Sequence, residues 1–148
     1  MKMRVTMTDD LIRDVLTRTR VIALVGFSHR PERASHSVGR FLVRQGYRVL
    51  PVNPGLAGQE FLGEAVAGSL ADVAAEVDMV EIFRRSEDVP PVVEAALERW
   101  PNLPTIWMQL GIWNAEARAM AEARDVTVIE NRCPAIEIPR LGLMRPSV

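Results

Sequence analysis

Cysteine is nearly absent from this sequence, which contains Cys133 and no other. A single cysteine cannot form an intramolecular disulfide, and it cannot supply the paired thiolates of a cysteine-based metal site. Lysine is equally scarce, because Lys2 is the only one and every other cation is an arginine. The arginine side chain presents a planar fork that suits phosphate, so local clusters of arginine are candidates for phosphate contacts.

The chain also lacks an excess of charge of either sign and any long apolar run. Its formal net charge is −1 at pH 7, so no global basic field indicates nucleic acid as a partner. No apolar run approaches the length of a membrane span, and residues 1–20 are charged throughout, unlike a signal peptide. We therefore expect a cytoplasmic protein that binds neither nucleic acid nor a membrane, and we expect no metal site.

The length of 148 residues suits one domain with a sizeable core and is too short for two ordinary ones. An apolar content of 48% with 25% charged residues is typical of a globular protein. We predict a single domain over residues 1–148, with an N-terminal helix over residues 8–18 and a short C-terminal tail over residues 134–148, at most a short helix.

Apolar segments with the length and β-branched content of strands alternate with helical patterns along the chain. The predicted strands cover residues 21–25, 47–52, 77–83, 105–109 and 126–130. The predicted helix starts lie near Ser35 or Ser37, at a cap formed by Ser86 and at a cap formed by Asn114. Residues 56–69 have the composition of a loop, with a brief turn after Ser69.

This alternation predicts an α/β fold of the doubly wound, Rossmann-like kind. We expect a mostly parallel five-stranded sheet with helices on both faces, which makes three layers. In such a sheet, ligands bind beyond the carboxyl ends of the strands, where the strand order reverses. The segments that follow each strand are therefore the candidates for a binding site.

The segment after the first strand carries the strongest signal. The run VIALVGFS is a buried strand that stops at Gly26, and a polar loop follows before the next helix. In this arrangement phosphates sit on backbone N–H groups at the helix N-terminus. Ser28, Arg30 and Arg33 add a hydroxyl and two cations, and we include Ser35 at the helix start. A plain strand-to-helix turn with a solvated polar rim is the alternative.

Two departures argue against a dinucleotide fingerprint. The first turn has one glycine, Gly26, where that fingerprint has three. The second predicted strand ends in Asn53 and Pro54, where an NAD-binding domain places an acidic residue that holds the ribose hydroxyls.

Other residues have a plain structural explanation beside a functional one. For His29 and His36 we expect solvent-facing positions in the loop rather than metal binding or catalysis. Arg84 and Arg85 either contact a ligand phosphate or pair with Glu87 or Asp88 at a solvated rim. Cys133 is either a buried small residue or, beside Arg132, a reactive thiolate, and we expect the former. Trp107 and Trp113 are candidates for a partner face, an acyl pocket or the core.

Four passages in the same order resemble the small CoA-binding proteins, which are stand-alone relatives of the CoA-binding domain of acyl-CoA synthetases. These passages are IALVGFSHRPERASHSVGRFLVRQGYRVLPVNPG, SLADVAAEVDMVEIFRR, IWMQLGIWNAEA and NRCPAIEIPRL, within residues 15–142. The resemblance implies a Rossmann-like domain that holds coenzyme A with its first loop on the phosphates.

Carried over residue by residue, the resemblance also implies a set of contacts. The first phosphate loop comprises Gly26, Phe27, Ser28 and Arg33, and Asn53 and Pro54 lie near the adenosine. The loop after the third strand contributes Arg84, Arg85 and Ser86, and the loop after the fourth contributes Gln109 and Gly111. Leu110, Ile112 and Trp113 are bulkier than the family's usual residues, so the sequence departs from the family pattern in that last loop.

The hypothesis that we favour is a module that binds coenzyme A or an acyl-CoA without catalysis of its own, with no catalytic residue assigned. The alternatives are an enzyme or redox-responsive protein that acts on an acyl or thiol group of CoA through Cys133, and an NAD-type regulatory domain. The sequence does not distinguish free CoA from an acyl-CoA as the ligand. It also leaves open whether the protein is a monomer, a homodimer or bound to a weak protein partner.

Overall fold

A computed structural model describes residues 7–146 of the chain. The single-domain prediction also includes residues 1–6 and 147–148, which lie outside the described residues. The strands are β1 (Val21–Val25), β2 (Arg48–Val52), β3 (Glu60–Phe61), β4 (Glu64–Ala65), β5 (Met79–Ile82), β6 (Thr105–Met108) and β7 (Thr127–Ile129). The helices are α1 (Asp9–Arg18), α2 (Ala34–Arg44), α3 (Val89–Arg99), α4 (Ala115–Glu122) and α5 (Pro134–Arg140).

Five of these strands form one parallel sheet in the order β2-β1-β5-β6-β7. Alternate residues of β1 face opposite sides, so that Ile22 and Leu24 enter one core cluster and Ala23 and Val25 enter the other. Helices α1, α2 and α5 cover the first face, while α3 and α4 cover the second. The predicted Rossmann-like α/β fold with three layers is confirmed.

The helix starts follow the expected capping chemistry at two places. Thr8 caps α1 by accepting a hydrogen bond from the backbone N–H of Leu11 at 3.2 Å. Asn114 caps α4 by accepting one from the N–H of Ala117 at 2.8 Å. The short helix expected in the C-terminal tail is also present as α5.

The prediction that Ser86 caps the third helix is wrong. Ser86 begins a separate 3₁₀ turn over Ser86–Asp88, and α3 starts only at Val89, whose N–H donates to the carbonyl of Ser86. The reason is that Pro90 and Pro91 have no N–H to donate and must occupy the first turn of α3, which fixes the start of the helix at Val89. The hydroxyl of Ser86 is thereby left to accept a hydrogen bond from the backbone N–H of Trp113 at 3.2 Å.

We expected residues 56–69 to be a loop, and this prediction is wrong in part. The segment contains the antiparallel hairpin of β3 and β4. Leu62 and Gly63 form its tip with φ values of 58° and 77°, as a tight two-residue hairpin turn requires. Leu62 packs close to α2 at Gly39, where an added Cβ would lie 3.1 Å from a methyl group of Leu62. Two-residue strands carry no periodic signal, which is why the sequence pattern missed them.

Candidate functional site

A cleft opens at the carboxyl edge of the sheet, at the point where the strand order reverses. The chain leaves β1 toward β2 on one side, whereas it leaves β5 toward β6 on the other. The two connections diverge and leave a crevice between them. The resulting cavity has a volume of about 800 Å³, which is a typical size for a small-molecule site.

The loop after β1 forms the floor of the cleft, and its shape depends on Gly26. The φ angle of Gly26 is +87°, and a Cβ added there would lie 2.3 Å from the carbonyl oxygen of Phe83. The backbone N–H groups of Gly26 and Phe27 both donate to the carbonyl of Val52, at 3.1 and 3.3 Å. The loop is therefore clamped between the ends of β5 and β2, and no other residue type fits at position 26 without strain.

Two serines and a histidine hold the next part of this loop. The N–H of Ser28 donates to the hydroxyl of Ser35 at 2.9 Å, and the hydroxyl of Ser28 accepts from the N–H of Arg30 at 3.1 Å. His36 Nδ1 lies 2.9 Å from the carbonyl oxygen of Ser28. Because a carbonyl oxygen only accepts, the proton of this bond is on Nδ1 of the imidazole. Within residues 7–146 no side chain caps α2, whose first residues Ala34 and Ser35 line the cleft.

Three exposed arginines surround the cleft: Arg30, Arg33 and Arg84. None of them forms an ion pair with another residue in the part of the chain that the structure describes. One carboxylate, Asp88, also lines the cleft, and it pairs with Arg85 at 3.0 Å. The charge that the cleft offers to a ligand is therefore positive.

Asn53 ties the end of β2 to the first loop. Its Nδ2 donates to the carbonyl oxygen of Phe27 at 2.6 Å, and its Oδ1 accepts from the N–H of Gly55 at 2.8 Å. Asn53 and Pro54 both line the cleft. The position at which a dinucleotide-binding domain carries an acidic residue is thus occupied by a carboxamide engaged in two internal hydrogen bonds.

The remaining wall of the cleft is largely apolar, and sequence reasoning missed most of it. These residues are Val25, Ala34, Val52, Gly68, Ser69, Leu70, Phe83, Asp88, Pro91, Val92 and Ala95. The segment that contains Leu70 reaches the cleft because Ala67 forms a bridge with Val52 and accepts from the N–H of Asn53 at 2.9 Å. That pairing is long-range, so no local pattern signals it. Pro91, Val92 and Ala95 lie on the first two turns of α3, and only the strand order brings them here.

The cleft brings together nine of the predicted site residues. They are Gly26, Phe27, Ser28, Arg30, Arg33, Ser35, Asn53, Pro54 and Arg84. Four others lie beside it and do not line it: Arg85, Ser86, Gln109 and Gly111. Arg85 pairs with Glu87 and Asp88, which is the rim arrangement considered above. Ligand contacts by these four residues stay a prediction.

The two histidines differ from one another. His29 is exposed, as expected, but the prediction that His36 faces solvent is wrong. His36 is buried in α2, where its ring stacks on Phe27 with a centroid distance of 5.5 Å and also contacts Phe61 at 6.4 Å. The helix begins at Ala34, earlier than expected, and this places His36 on the face that packs against the hairpin.

Cys133 is buried at the start of α5, in the core cluster shared with α1 and α2, and it does not line the cleft. The guanidinium of Arg132 pairs with Glu137 at 3.3 Å, and Arg140 pairs with the same carboxylate at 2.7 Å. Glu130 likewise pairs with Arg118. Both glutamates are therefore held in ion pairs.

Neither a metal-binding cluster nor a membrane-spanning helix is present within residues 7–146. Over that range, no three histidine, cysteine or acidic side chains lie close enough together to hold a metal ion. Over the same range, none of the helices combines the length and the apolar character that crossing a membrane requires. Trp107 is completely buried, whereas 56% of Trp113 is exposed.

Comparison with known proteins agrees with this architecture. A family model described as a CoA binding domain matches residues 20–139. The protein YneT of Bacillus subtilis (strain 168) is 40% identical over 122 residues, which are 82% of this chain and 87% of YneT.

Solved structures show the same fold. The structure of cell-free ID.343 from Thermus thermophilus is 34% identical, with a TM-score of 0.85 over 91% of this chain and 99% of that one. The dinucleotide forming acetyl-coenzyme A synthetase 1 of Ca. Korarchaeum cryptofilum is 23% identical, with a TM-score of 0.64. The match covers 84% of this chain but 28% of that chain, so it indicates a shared fold with one part of a larger protein.

Proposed function

The chain belongs to the CoA binding domain family, and from this premise we propose that it binds coenzyme A in the cleft at the carboxyl edge of the sheet. The observation that carries the proposal is the combination, around one cavity, of a helix start and three arginines that have no side-chain cap and no ion-pair partner among the described residues. An uncapped helix N-terminus attracts anions through its N–H groups and the helix dipole. Coenzyme A is an anionic nucleotide with phosphates to place there.

The absence of an acidic residue at the end of β2 favours this ligand over NAD. The adenosine ribose of coenzyme A carries a 3′-phosphate, which a carboxylate at that position would repel. Asn53 is neutral, and Arg30, Arg33 and Arg84 line the same cavity. Arginine binds phosphate through paired, charge-assisted hydrogen bonds.

The apolar part of the wall suits the rest of the nucleotide. Val52, Pro54 and Leu70 lie on the β2 side of the cavity, while Pro91 and Val92 lie on the α3 side. Apolar walls with a few placed polar groups are the usual composition of a small-molecule site. We assign the base and the phosphates to this cavity. We do not propose the enzymatic alternative, because Cys133 is buried outside it.

Calorimetric titration tests the proposal. We expect coenzyme A to bind, dephospho-CoA to bind more weakly and NAD to bind least. Arg33→Ala should weaken coenzyme A about tenfold to a hundredfold, because a charge-assisted hydrogen bond contributes about 1.5–3 kcal/mol. Arg44→Ala is the matched control, since Arg44 is an exposed arginine in the last turn of the same helix and does not line the cleft.

Two outcomes would contradict the proposal. No heat from coenzyme A with tens of micromolar protein would rule out this ligand. Equal losses of affinity in Arg33→Ala and Arg44→Ala would mean that the arginines act through overall charge and that the ligand does not occupy the cleft.

A further inference from the structure

The turn after β6 exposes two large apolar side chains that the core does not use. Leu110 is 55% exposed and Trp113 is 56% exposed, although the chain buries its other two tryptophans almost completely. The backbone N–H of Ile112 donates to the carbonyl of Gln109 at 2.9 Å, which makes a tight turn with Leu110 and Gly111 at its tip. A single exposed leucine is ordinary, but an exposed tryptophan beside it is not.

This turn is fastened to the wall of the cleft. The N–H of Trp113 donates to the hydroxyl of Ser86 at 3.2 Å, and Asn114 Nδ2 donates to the carbonyl of Ser86 at 3.0 Å. Ser86 lies two positions from Arg84 and two from Asp88, both of which line the cleft. The turn is therefore hydrogen-bonded, at Trp113 and Asn114, to a residue that lies beside the cleft.

The turn after β6 lies along the same edge of the sheet as the cleft, on its β5 side. The cleft takes its walls from the ends of β2, β1 and β5, and β6 is the next strand along the same edge. Adjacent strands lie about 4.8 Å apart, so the turn after β6 begins one strand spacing beyond the cavity. The surface at Gly111, at the tip of this turn, is open, because a Cβ added there would meet nothing within 4 Å.

We propose that Leu110 and Trp113 form an apolar platform for the acyl chain of an acyl-CoA whose nucleotide occupies the cleft. The inference rests on the proposed binding of coenzyme A and names the ligand class more narrowly, as thioesters with an apolar acyl chain of several carbons. The pantetheine arm leaves the nucleotide and crosses the end of β5. The acyl chain then covers the two side chains and removes their apolar surface from water, as the hydrophobic effect favours.

Calorimetric titration with octanoyl-CoA and with free coenzyme A tests the platform. We expect octanoyl-CoA to bind the native protein about tenfold more tightly, which corresponds to burial of about two methylene groups. In Trp113→Ser, and in the double variant with Leu110→Ser, the ratio of the two affinities should fall toward one. Ile136→Ser is the matched control, because Ile136 is 52% exposed on α5 and does not line the cleft. That variant should keep the native ratio.

Tryptophan fluorescence provides an independent measurement on the unmodified protein. Trp100 and Trp107 are 2% and 0% exposed, so a change in the polarity around a tryptophan on ligand binding reports on Trp113. Octanoyl-CoA should shift the emission to shorter wavelength, and the shift should be absent in Trp113→Ser. Far-UV circular dichroism verifies that each variant is folded.

The outcomes separate this inference from the proposed function. If free coenzyme A binds and octanoyl-CoA binds no more tightly, the platform is refuted while coenzyme A binding stands. A preference for octanoyl-CoA that survives in both variants would place the acyl chain elsewhere. If neither ligand binds, both proposals fail. If the emission instead shifts with protein concentration as a dimer forms, and not with octanoyl-CoA, the two side chains belong to an interface between copies and the inference is overturned.

Discussion

The side chain of Asn53 donates a hydrogen bond from Nδ2 to the carbonyl oxygen of Phe27 at 2.6 Å, and this bond joins the end of β2 to the loop after β1. The same side chain accepts from the N–H of Gly55 at 2.8 Å. Both polar groups of the carboxamide are therefore occupied. Since both joined segments line the cleft, Asn53 helps to set the shape of the cavity, and it does so without adding a charge.

Asn53→Asp should damage both stability and binding. The replacement keeps the acceptor for Gly55 but sets a carboxylate oxygen against the carbonyl of Phe27, so an acceptor faces an acceptor. We expect the free energy of unfolding at pH 7 to fall by about 1–3 kcal/mol, the usual result of leaving a polar group unsatisfied. Coenzyme A should bind at least about tenfold more weakly, because the new charge lies beside its phosphates. Urea unfolding and calorimetric titration measure the two effects.

Asn131→Asp is the matched control for that substitution. Asn131 also accepts a backbone hydrogen bond through Oδ1, from the N–H of Gly111 at 2.8 Å, and it adds the same charge when replaced by aspartate. Its Nδ2 has no hydrogen-bond acceptor to lose within residues 7–146, so stability should change little. Equal losses in the two variants would show that the added charge, and not the bond to Phe27, is responsible.

Gly26→Ala should be much more damaging than the same substitution at Gly58. Both glycines have φ values near +87°, so both variants carry the cost of left-handed backbone, about 1–2 kcal/mol for an L-residue. At Gly26 the new Cβ would also lie 2.3 Å from the carbonyl oxygen of Phe83, whereas at Gly58 it would meet nothing within 4 Å. We expect Gly26→Ala to lose at least about 3 kcal/mol in urea unfolding. Similar losses of stability for the two variants would show that the backbone at Phe83 moves aside with little energetic cost.

The sequence pattern located β1 and Gly26 correctly because the signals there are local. A short run of buried, mostly β-branched residues followed by a glycine marks a strand end without reference to any other part of the chain. The same holds for the cap at Asn114, where one side chain satisfies one nearby N–H group. The Rossmann-like fold followed from the order of such local elements.

The parts of the site that the sequence did not reveal depend on distant contacts. Leu70 enters the cleft only because Ala67 pairs with Val52. His36 is buried because its ring packs against Phe27 and Phe61, which also contact each other, and Phe61 belongs to a hairpin too short to leave a pattern. The positions of Arg85 and Ser86 beside the cleft follow from the start of α3, which Pro90 and Pro91 determine.

His36→Phe should remove the hydrogen bond that holds the first loop and keep the packing against Phe27. The phenyl ring can still stack on Phe27, but the carbonyl of Ser28 loses the donor that now lies 2.9 Å away. We expect unfolding stability to fall by about 1 kcal/mol and coenzyme A to bind about fivefold more weakly, because a loop held less firmly must be ordered on binding. His29→Asn, at the exposed histidine of the same loop, should change stability by less than about 0.5 kcal/mol. An unchanged affinity in His36→Phe would show that the hydrogen bond from His36 to the first loop does not contribute to coenzyme A binding.

We expect Glu81 to make the stability of the protein depend on pH. It lies fully buried in β5, and neither carboxylate oxygen has a hydrogen-bond partner among the described residues. Desolvation raises the pKa of Glu81 to about 8, from its ordinary value of 4.5. Between these values the folded protein retains a proton that the unfolded chain releases. The free energy of unfolding should therefore fall as pH rises from about 4.5 to about 8, by several kcal/mol in total, and this group should add no further slope above that range.

Glu81→Gln isolates this effect because the amide has nearly the same shape and does not ionise. Urea unfolding at pH 5 and at pH 8.5 should show a large loss for the native protein and a much smaller one for the variant. Asp9 titrates in a different window: the hydrogen bond from Arg140 lowers its pKa, so its contribution is lost only as pH falls below the usual carboxyl range. That contribution is common to both proteins and cancels in their difference. Parallel losses in the two proteins would mean that Glu81 finds a charged partner or water when it ionises, and that its burial does not control the pH dependence.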